Sequence, residues 1–184
     1  MCIRDSVRAV DGGVGEAKAA GNYGASLYPT KLAKEKGYDQ VMWMDAHEFK
    51  YVQEVGTMNI FFVLKDRVLT PNLSGTILKG ITRESLITLL KEKVNMVKEC
   101  PLSMEEIQAA YLKGEVIEVF GAGTAAVVAN VNRIGYKGND LIFKPENWTL
   151  SQELKAEING IRKGRITDTH GWILQVVAEE AIAI

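Results

Sequence analysis

Cysteine is scarce in this sequence: Cys2 and Cys100 are the two found among 184 residues. Two cysteines cannot build a framework of disulfides, and so low a content is typical of proteins kept in a reducing compartment. We therefore expect a cytoplasmic protein.

Long apolar runs and an excess of one charge are also missing. The longest uninterrupted apolar runs, such as 60–64 and 125–129, are much shorter than the roughly 20 residues that cross a bilayer. The 22 basic and 23 acidic residues give a formal net charge of −1, so no basic field attracts nucleic acid or anionic lipid. We expect neither a membrane segment nor a nucleic-acid partner.

Histidine is equally rare, because His47 and His170 are the two in the sequence. They are far apart, and neither has a cysteine or carboxylate at a recognised metal-ligand spacing. We propose no metal site. The content of 47% hydrophobic and 24% charged residues is typical of an ordinary globular domain.

Hydrophobic periodicity predicts a mixture of helices and strands, and therefore an α+β or an irregular α/β architecture. Helices are predicted over residues 28–37, 83–97, 103–112 and 150–163. Strands are predicted over residues 40–44, 58–65, 67–70, 116–120, 126–134 and 140–143. The third helix begins Ser-Met-Glu-Glu, the pattern of a capping box, and a turn at Lys65 and Asp66 predicts a hairpin.

The most unusual segment is Gly-Gly-Val-Gly-Glu-Ala-Lys-Ala-Ala-Gly-Asn-Tyr-Gly at 12–24, in which five glycines surround one lysine. A P-loop needs glycine before the lysine and Ser or Thr after it, where Ala17 and Ala19 stand here. The small neighbours would instead allow Lys18 to be buried, where desolvation lowers the pKa of its amine and makes it nucleophilic. The alternative is a surface loop that carries a solvated lysine.

Three further motifs accompany this segment in a fixed order. They are Gln-Glu-Val-Gly-Thr-Met-Asn at 53–59, Leu-Lys-Gly-Ile-Thr-Arg at 78–83 and Phe-Gly-Ala-Gly-Thr-Ala at 120–125. With these four motifs the sequence resembles the branched-chain amino acid aminotransferases, which are pyridoxal-phosphate-dependent enzymes of fold type IV and belong to the class IV aminotransferases. The resemblance implies transamination of leucine, isoleucine and valine with 2-oxoglutarate, in branched-chain amino acid biosynthesis, through a lysine Schiff base.

The resemblance also implies a fold and a domain organisation. Residues 7–184 correspond to the larger, C-terminal domain of the D-amino-acid-aminotransferase-like enzymes, with mixed strands in a barrel-like sheet and flanking helices. Residues 1–6 look like a sequencing or cloning scar. We expect the family's smaller N-terminal domain, with its phosphate-binding arginine, to be missing, and the chain alone to be inactive or weakly active. A homodimer is implied as well.

Three residues match the family's cofactor-binding side chains. Lys18 matches the lysine that forms the Schiff base and moves the proton from the substrate Cα. Tyr23 matches the tyrosine that bonds the phenolic oxygen of pyridoxal phosphate, with a half-buried packing tyrosine as the alternative. Glu54 matches the carboxylate that faces the pyridine nitrogen and keeps it protonated; otherwise it would be a solvated loop residue.

Phosphate recognition is expected directly before the helix predicted from Arg83. Ile81 and Thr82 follow Gly80 there, so backbone N–H groups, a helix N-terminus and a hydroxyl are available to an anion. The alternative is that Thr82 is only an N-cap. Arg83 is either a cation near the phosphate or a member of a surface ion pair.

The glycine turn at 121–125 is the second expected phosphate contact. By resemblance, Thr124 binds the phosphate, and the backbone near Ala125 binds the substrate carboxylate. Thr57 is expected to line the substrate side of the ring. Such a turn is otherwise only a strand connection.

Other functions remain open at this point. The strongest alternative from another class is a non-catalytic module that binds a phosphorylated metabolite. Within fold type IV, a D-amino-acid aminotransferase or an aminodeoxychorismate lyase would share most of these motifs.

Overall fold

The structure is a computed structural model that describes residues 6–94 and 96–176. The helices in this part of the chain are α1 (Ala20–Gly24), α2 (Leu27–Glu35), α3 (Ile81–Lys93), α4 (Met104–Leu112) and α5 (Leu150–Arg162). The strands are β1 (Met42–Met44), β2 (Val52–Val55), β3 (Met58–Leu64), β4 (Val68–Thr70), β5 (Val97–Glu99), β6 (Val116–Gly123), β7 (Val127–Val131), β8 (Arg133–Tyr136) and β9 (Asn139–Ile142). A short 3₁₀ helix follows at Pro145–Asn147.

Seven of these strands form one sheet centred on β3. Along one edge, β3 pairs antiparallel with both β2 and β4, and along the other it pairs antiparallel with β6. β1 extends the sheet beyond β2, β7 extends it beyond β6, and β5 joins β4 in parallel. β8 and β9 form a separate hairpin. The predicted α+β class, with mixed strand pairing and flanking helices, is confirmed.

Both faces of β3 are covered. Ile60 and Phe62 pack into one apolar cluster, which α4 completes, whereas Phe61 and Val63 pack into a second cluster with residues of α3 and α5. Because successive side chains of a strand point to opposite faces, a strand covered on both sides is a continuous apolar run. This is why 60–64 contains no polar residue.

Helix α5 is anchored to the central sheet by a buried carboxylate on β6. Glu118 is fully buried and accepts hydrogen bonds from Leu150 N at 2.9 Å, Ser151 N at 3.3 Å and Ser151 Oγ at 2.5 Å. These backbone N–H groups belong to the first turn of α5, where no helical carbonyl can accept them. Burial raises the pKa of Glu118, while the bonds from Ser151 and Leu150 oppose that shift.

Two local predictions are confirmed in detail. Ser103 caps α4: its hydroxyl accepts from Glu106 N at 3.2 Å, and the Glu106 carboxylate accepts from Ser103 N at 3.1 Å. The hairpin predicted across Lys65 and Asp66 is the β3–β4 pair. Both features depend on residues close in sequence.

The helix predicted over 83–97 has the wrong limits. α3 begins two residues earlier, at Ile81, and ends at Lys93, and Val97 instead begins β5, where it pairs with Val68. Hydrogen bonding to β4 therefore overrides the apolar spacing that favoured a longer helix. The strand predicted over 126–134 is divided into β7 and β8, and the sequence did not predict α1 or β2.

Candidate functional site

The segment that leads to Lys18 is held by a buried amide. Asn22, on α1, is 7% exposed, and its Nδ2 donates to Val14 O at 2.8 Å and Ala17 O at 2.9 Å. The backbone is thereby fixed up to the residue before Lys18. Lys18 itself is exposed, which agrees with the alternative of a surface loop and not with the burial that its small neighbours would allow: the segment runs along the surface of the described part of the chain.

Gly15 brings the same segment against the loop before α3. A Cβ at Gly15 would lie 2.6 Å from Ala9 Cβ, 2.7 Å from Thr76 Cα and 2.8 Å from Thr76 O. Only a residue without a side chain fits so close to backbone atoms. This contact explains one of the five glycines around Lys18.

Glu54 is the most unusual acid in the region. It lies on β2, is 3% exposed, and its Oε1 accepts from Leu78 N at 3.1 Å and Asn59 Nδ2 at 3.3 Å. Its Oε2 lies 2.5 Å from Arg8 Nε. Burial raises the pKa of Glu54 to about 7, although Arg8 and the Leu78 N–H act to lower it. The alternative of a solvated loop residue is therefore wrong.

One narrow cleft brings several predicted site residues together. Tyr23, Glu54 and Thr57 line it, beside Arg8 and Leu78. Its volume is only about 10 Å³, so it is a narrow gap between side chains. Tyr23 is 36% exposed and Thr57 is exposed, so both are open to a molecule that lies outside this gap.

The N-terminus of α3 adjoins the cleft through Asn59. Asn59 Nδ2 donates to Leu78 O at 2.9 Å, and a Cβ on Gly80 would collide with Asn59 Oδ1. Gly80 is the N-cap of α3, so Thr82 is not the N-cap. Ile81 is 83% exposed and Thr82 is half-buried. Their N–H groups lie in the first helical turn, which has no helical acceptors and carries the positive end of the helix dipole.

The turn between β6 and β7 reaches the same region. Ala122 pairs with Asn59 across the β3–β6 ladder, and a Cβ on Gly123 would lie 3.8 Å from Thr57 O. Thr124 and Ala125 follow in an exposed turn. The expected second phosphate turn therefore lies beside the turn that carries Thr57.

The backbone directly after this turn is strained. Val127 has a φ of 60°, in the left-handed region that a β-branched residue rarely adopts, yet its side chain is buried. Strain of this kind costs on the order of 1–3 kcal/mol and occurs most often at functional sites. The strain at Val127 agrees with a functional role for the conformation of this turn.

Arg83 forms an ion pair, as one of its two interpretations from the sequence predicted, but the arginine of the pair is buried. It is 4% exposed and donates through Nη2 to Pro71 O at 2.8 Å and to Glu99 Oε2 at 2.8 Å. This buried arrangement connects α3 to β5 and to the residue after β4. Arg83 is thus part of the scaffold beneath the helix N-terminus, in an ion pair whose Glu99 side chain is 41% exposed.

The largest of the observed cavities lies elsewhere. It has a volume of about 750 Å³ and is lined by residues of β7 and β8, by the loop before β1 and by Val55 and Met58. None of the predicted site residues lines it. We therefore place the candidate site at the cleft, because the predicted site residues Tyr23, Glu54 and Thr57 line it.

Neither histidine lies in the cleft. The exposed His47 pairs with Asp11 at 2.7 Å, and His170 lies 3.6 Å from Glu92. In residues 6–94 and 96–176, no group of three or more metal-ligating side chains is suitably placed for a metal ion. Over those same residues, no helix is both long and apolar enough to span a membrane.

Three residues at the site were not assigned a role from the sequence. Arg8 contacts Glu54, Asn22 holds the Lys18 segment, and Asn59 lies between Glu54 and the α3 N-terminus. Asn22 and Asn59 lie within two of the four motifs, and this position could have marked them as candidate site residues. Arg8 stands outside all four motifs, and nothing local distinguishes it from an ordinary surface arginine.

Comparison with known proteins defines the class of this chain. Residues 1–134 match the family described as amino-transferase class IV. The match covers well over half of the chain, and the chain belongs to that family.

More specific similarity is to branched-chain enzymes. The probable branched-chain-amino-acid aminotransferase of Staphylococcus epidermidis is 48% identical over 171 residues, which are 92% of this chain and 48% of that protein. Branched-chain-amino-acid transaminase 1 of Bacillus subtilis shows the same identity and the same two coverages. The chain thus spans about half the length of the curated relatives it matches.

Solved structures agree on the fold. The branched-chain amino acid aminotransferase from Escherichia coli superposes with a TM-score of 0.76 at 29% identity, over 95% of this chain and 56% of that one. The branched-chain amino acid aminotransferase from Thermoproteus uzoniensis with norvaline gives 0.72 at 26% identity, over 89% and 51% of the two chains. The fold expected from the four motifs is confirmed.

Proposed function

We propose that the protein is a pyridoxal-phosphate-dependent aminotransferase that exchanges an amino group between leucine, isoleucine or valine and 2-oxoglutarate. The observation that carries the proposal is the burial of Glu54 in one cleft with Tyr23 and Thr57. A module that only binds a phosphorylated metabolite does not require a buried acid at the position of Glu54. Among relatives with solved structures, one branched-chain amino acid aminotransferase has been seen with pyridoxamine 5'-phosphate.

The chemical types of the residues present fit pyridoxal phosphate. Lys18 offers an amine, Tyr23 a phenol and Glu54 a carboxylate. For the phosphate there are the N–H groups of Ile81 and Thr82 at the α3 N-terminus, and the hydroxyls of Thr82 and Thr124. When bound, the cofactor supplies an aldehyde that condenses with amines and a ring that accepts an electron pair.

Each side chain then has a defined task. Lys18 would hold the cofactor covalently through Nζ and, once free, would remove the proton from the substrate Cα as a general base. Tyr23 would donate a hydrogen bond from its hydroxyl to the phenolic oxygen of the ring. Thr57 and the backbone at Ala125 would orient the substrate, because both lie in exposed turns and Gly123 brings the second turn close to Thr57 O.

Glu54 controls the proton on the ring nitrogen. As a carboxylate it would accept a hydrogen bond from the protonated nitrogen and stabilise its positive charge. The pKa of Glu54, raised to about 7 by burial, lies close to neutral pH, and a positive ring nitrogen beside it would favour ionisation. The charge of the ring nitrogen would therefore depend on the ionisation of Glu54.

Trapping the covalent link tests the proposal. After incubation with pyridoxal phosphate and reduction with borohydride, mass spectrometry should locate the adduct on Lys18. Lys18→Ala should abolish it, and the matched control Lys31→Ala, at another exposed lysine, should leave it unchanged. An adduct on Lys31 or Lys34 instead would contradict the assignment.

Absorbance and substrate assays separate the alternatives. A phosphorylated-metabolite-binding module would show no cofactor absorbance in the visible or near ultraviolet. Bleaching of that absorbance by L-leucine is expected, whereas a response to D-alanine alone would favour a D-amino-acid aminotransferase, and formation of an aromatic amine from aminodeoxychorismate would favour the lyase.

The organisation of the whole protein belongs to the same proposal. We propose that residues 7–184 are the larger domain of the family, a view supported by the half-length coverage of the relatives. The homodimer and the cytoplasmic location rest on the family resemblance and on the low cysteine content, and they stay predictions. Gel filtration of the whole protein tests the first of these.

A further inference from the structure

We infer that Arg8 is a positioning residue for the reaction: its guanidinium favours the charged form of the Glu54 carboxylate and fixes the segment that carries Lys18 against the same cleft. This inference rests on the proposed function. Its core, an electrostatic dependence of Glu54 on Arg8, is measurable without any turnover.

Arg8 contacts three separate segments of the chain. Its Nε lies 2.5 Å from Glu54 Oε2 on β2. Its Nη2 donates to Gly15 O at 2.9 Å, in the Lys18 segment, and to Thr76 O in the loop before α3. One planar group therefore joins the acid, the lysine segment and the approach to the helix N-terminus.

The Arg8–Glu54 pair is shielded from solvent. The Arg8 side chain is 8% exposed and the Glu54 side chain 5% exposed. Solvent therefore screens the pair little, and removal of one partner would leave an uncompensated buried charge. The pair differs in this respect from Arg67 and Asp66, whose side chains are 37% and 68% exposed.

Arg8 is also the charged group in direct contact with Glu54. The partners of the other carboxylate oxygen are neutral, namely the Leu78 N–H and the Asn59 amide, and Tyr23 lines the same cleft. Burial alone drives the Glu54 pKa upward, and Arg8 opposes it. Without Arg8, Glu54 would therefore be protonated at neutral pH and could not stabilise a positive ring nitrogen.

Lysine is a poor substitute for this arginine. A guanidinium has donors in a rigid fork, so its charge can lie beside Glu54 while Nη2 donates to two carbonyls. An ammonium supplies the charge from a single point on a flexible chain. Arg8→Lys should thus retain the electrostatic effect on Glu54 but lose contacts to Gly15 or Thr76, which separates the two parts of the role.

Carbon-13 NMR of the cofactor-free chain, labelled at the glutamate side-chain carboxyl, gives the direct test. Glu54→Gln identifies the Glu54 resonance. We expect Arg8→Met to raise the Glu54 pKa by about 1 to 3 pH units and Arg8→Lys to raise it much less. The matched control Arg67→Met, at the exposed pair, should not move it. An unchanged Glu54 titration in Arg8→Met overturns the inference.

A variant that does not fold is covered by a second comparison. Removing both groups in Arg8→Met/Glu54→Gln should restore folding that Arg8→Met loses, because a neutral amide is buried without the cost of an unpaired charge or of taking up a proton. If the double variant is as unstable as Arg8→Met, Arg8 acts through packing and the inference is wrong.

A cofactor-loaded readout separates this inference from the proposed function. In Arg8→Met, the pH at which the absorbance of the Lys18-bound cofactor changes should shift, with recovery towards the parent value in Arg8→Lys. If borohydride trapping shows no adduct on Lys18, the proposed function fails, while the NMR titration still decides whether Arg8 controls Glu54. If the adduct is present and the Glu54 titration does not respond to Arg8, the inference alone fails.

Discussion

Replacement of Gly15 by alanine probes the close contact that sets the Lys18 segment against the rest of the site. The new Cβ would lie 2.6 Å from Ala9 Cβ, 2.7 Å from Thr76 Cα and 2.8 Å from Thr76 O. Two of these three are backbone atoms, which cannot rotate away. Gly15 does not have a positive φ, so the cost comes from crowding and not from backbone strain.

The size of the effect follows from the cost of overpacking. An inserted methyl group in a closely packed place costs about 1–3 kcal/mol, which for a chain of this length lowers Tm by about 2–12 °C. Because Arg8 donates to Gly15 O, displacement of this segment should also weaken the hold on Lys18. We therefore expect less covalent cofactor on Lys18 as well as lower stability.

Urea unfolding followed by tryptophan fluorescence measures the loss, and borohydride trapping measures the adduct. The matched control is Gly24→Ala, at the end of α1, where a Cβ meets no atom within 4 Å. It should be neutral or stabilising by up to about 1 kcal/mol, because alanine restricts the unfolded chain more than glycine. If Gly15→Ala unfolds at the same urea concentration as the parent, the contact with Thr76 is not as close as described and the reasoning fails.

Three other outcomes are expected. The Glu54 pKa of about 7 lies above its ordinary value of 4.5, so the folded state binds the proton more tightly than the unfolded state does. The free energy of unfolding, measured with urea, should therefore fall by about 3 kcal/mol as pH rises from 4.5 to 7. Glu54→Gln should remove this pH dependence, and an equal dependence in both proteins would contradict the prediction. With cofactor bound, Glu54→Gln should slow the half-reaction with leucine by about 100- to 1,000-fold, seen by rapid-mixing absorbance, and an unchanged rate would return Glu54 to a structural role. Glu118→Ala should lower the free energy of unfolding, measured with urea, by at least about 1.5–3 kcal/mol, because the N–H groups of Leu150 and Ser151 lose a charged acceptor. A decrease below about 0.5 kcal/mol would show that water replaces the carboxylate as acceptor.

Several features depended only on residues close in sequence, and these were predictable. The capping box at Ser103 joins residues three apart, and the β3–β4 hairpin turns within Lys65 and Asp66. The four motifs likewise supplied Lys18, Tyr23, Glu54, Thr57 and Thr124 as candidates, together with the family. Local hydrogen bonds and short motifs are legible in a sequence because their partners are neighbours.

The error at α3 shows the limit of this local information. Apolar spacing over 83–97 fits a longer helix, but Val97 pairs with Val68 on a neighbouring strand. A strand that adds to an existing sheet gains hydrogen bonds from residues distant in sequence, and no periodicity within the segment records them. The sequence left open whether Lys18 is buried for a similar reason, since exposure depends on what the rest of the chain places above a segment.

The protonation of the site was decided by tertiary structure alone. The sequence by itself determined that an acid, a phenol and a lysine of the required kinds are present, in an order that identifies the family. Only the folded chain brings Arg8 to Glu54, and to a carbonyl 68 residues away at Thr76, and so sets the charge of the acid. The physical reason is that a pKa depends on burial and on the distance to other charges, and both are properties of the folded chain in three dimensions.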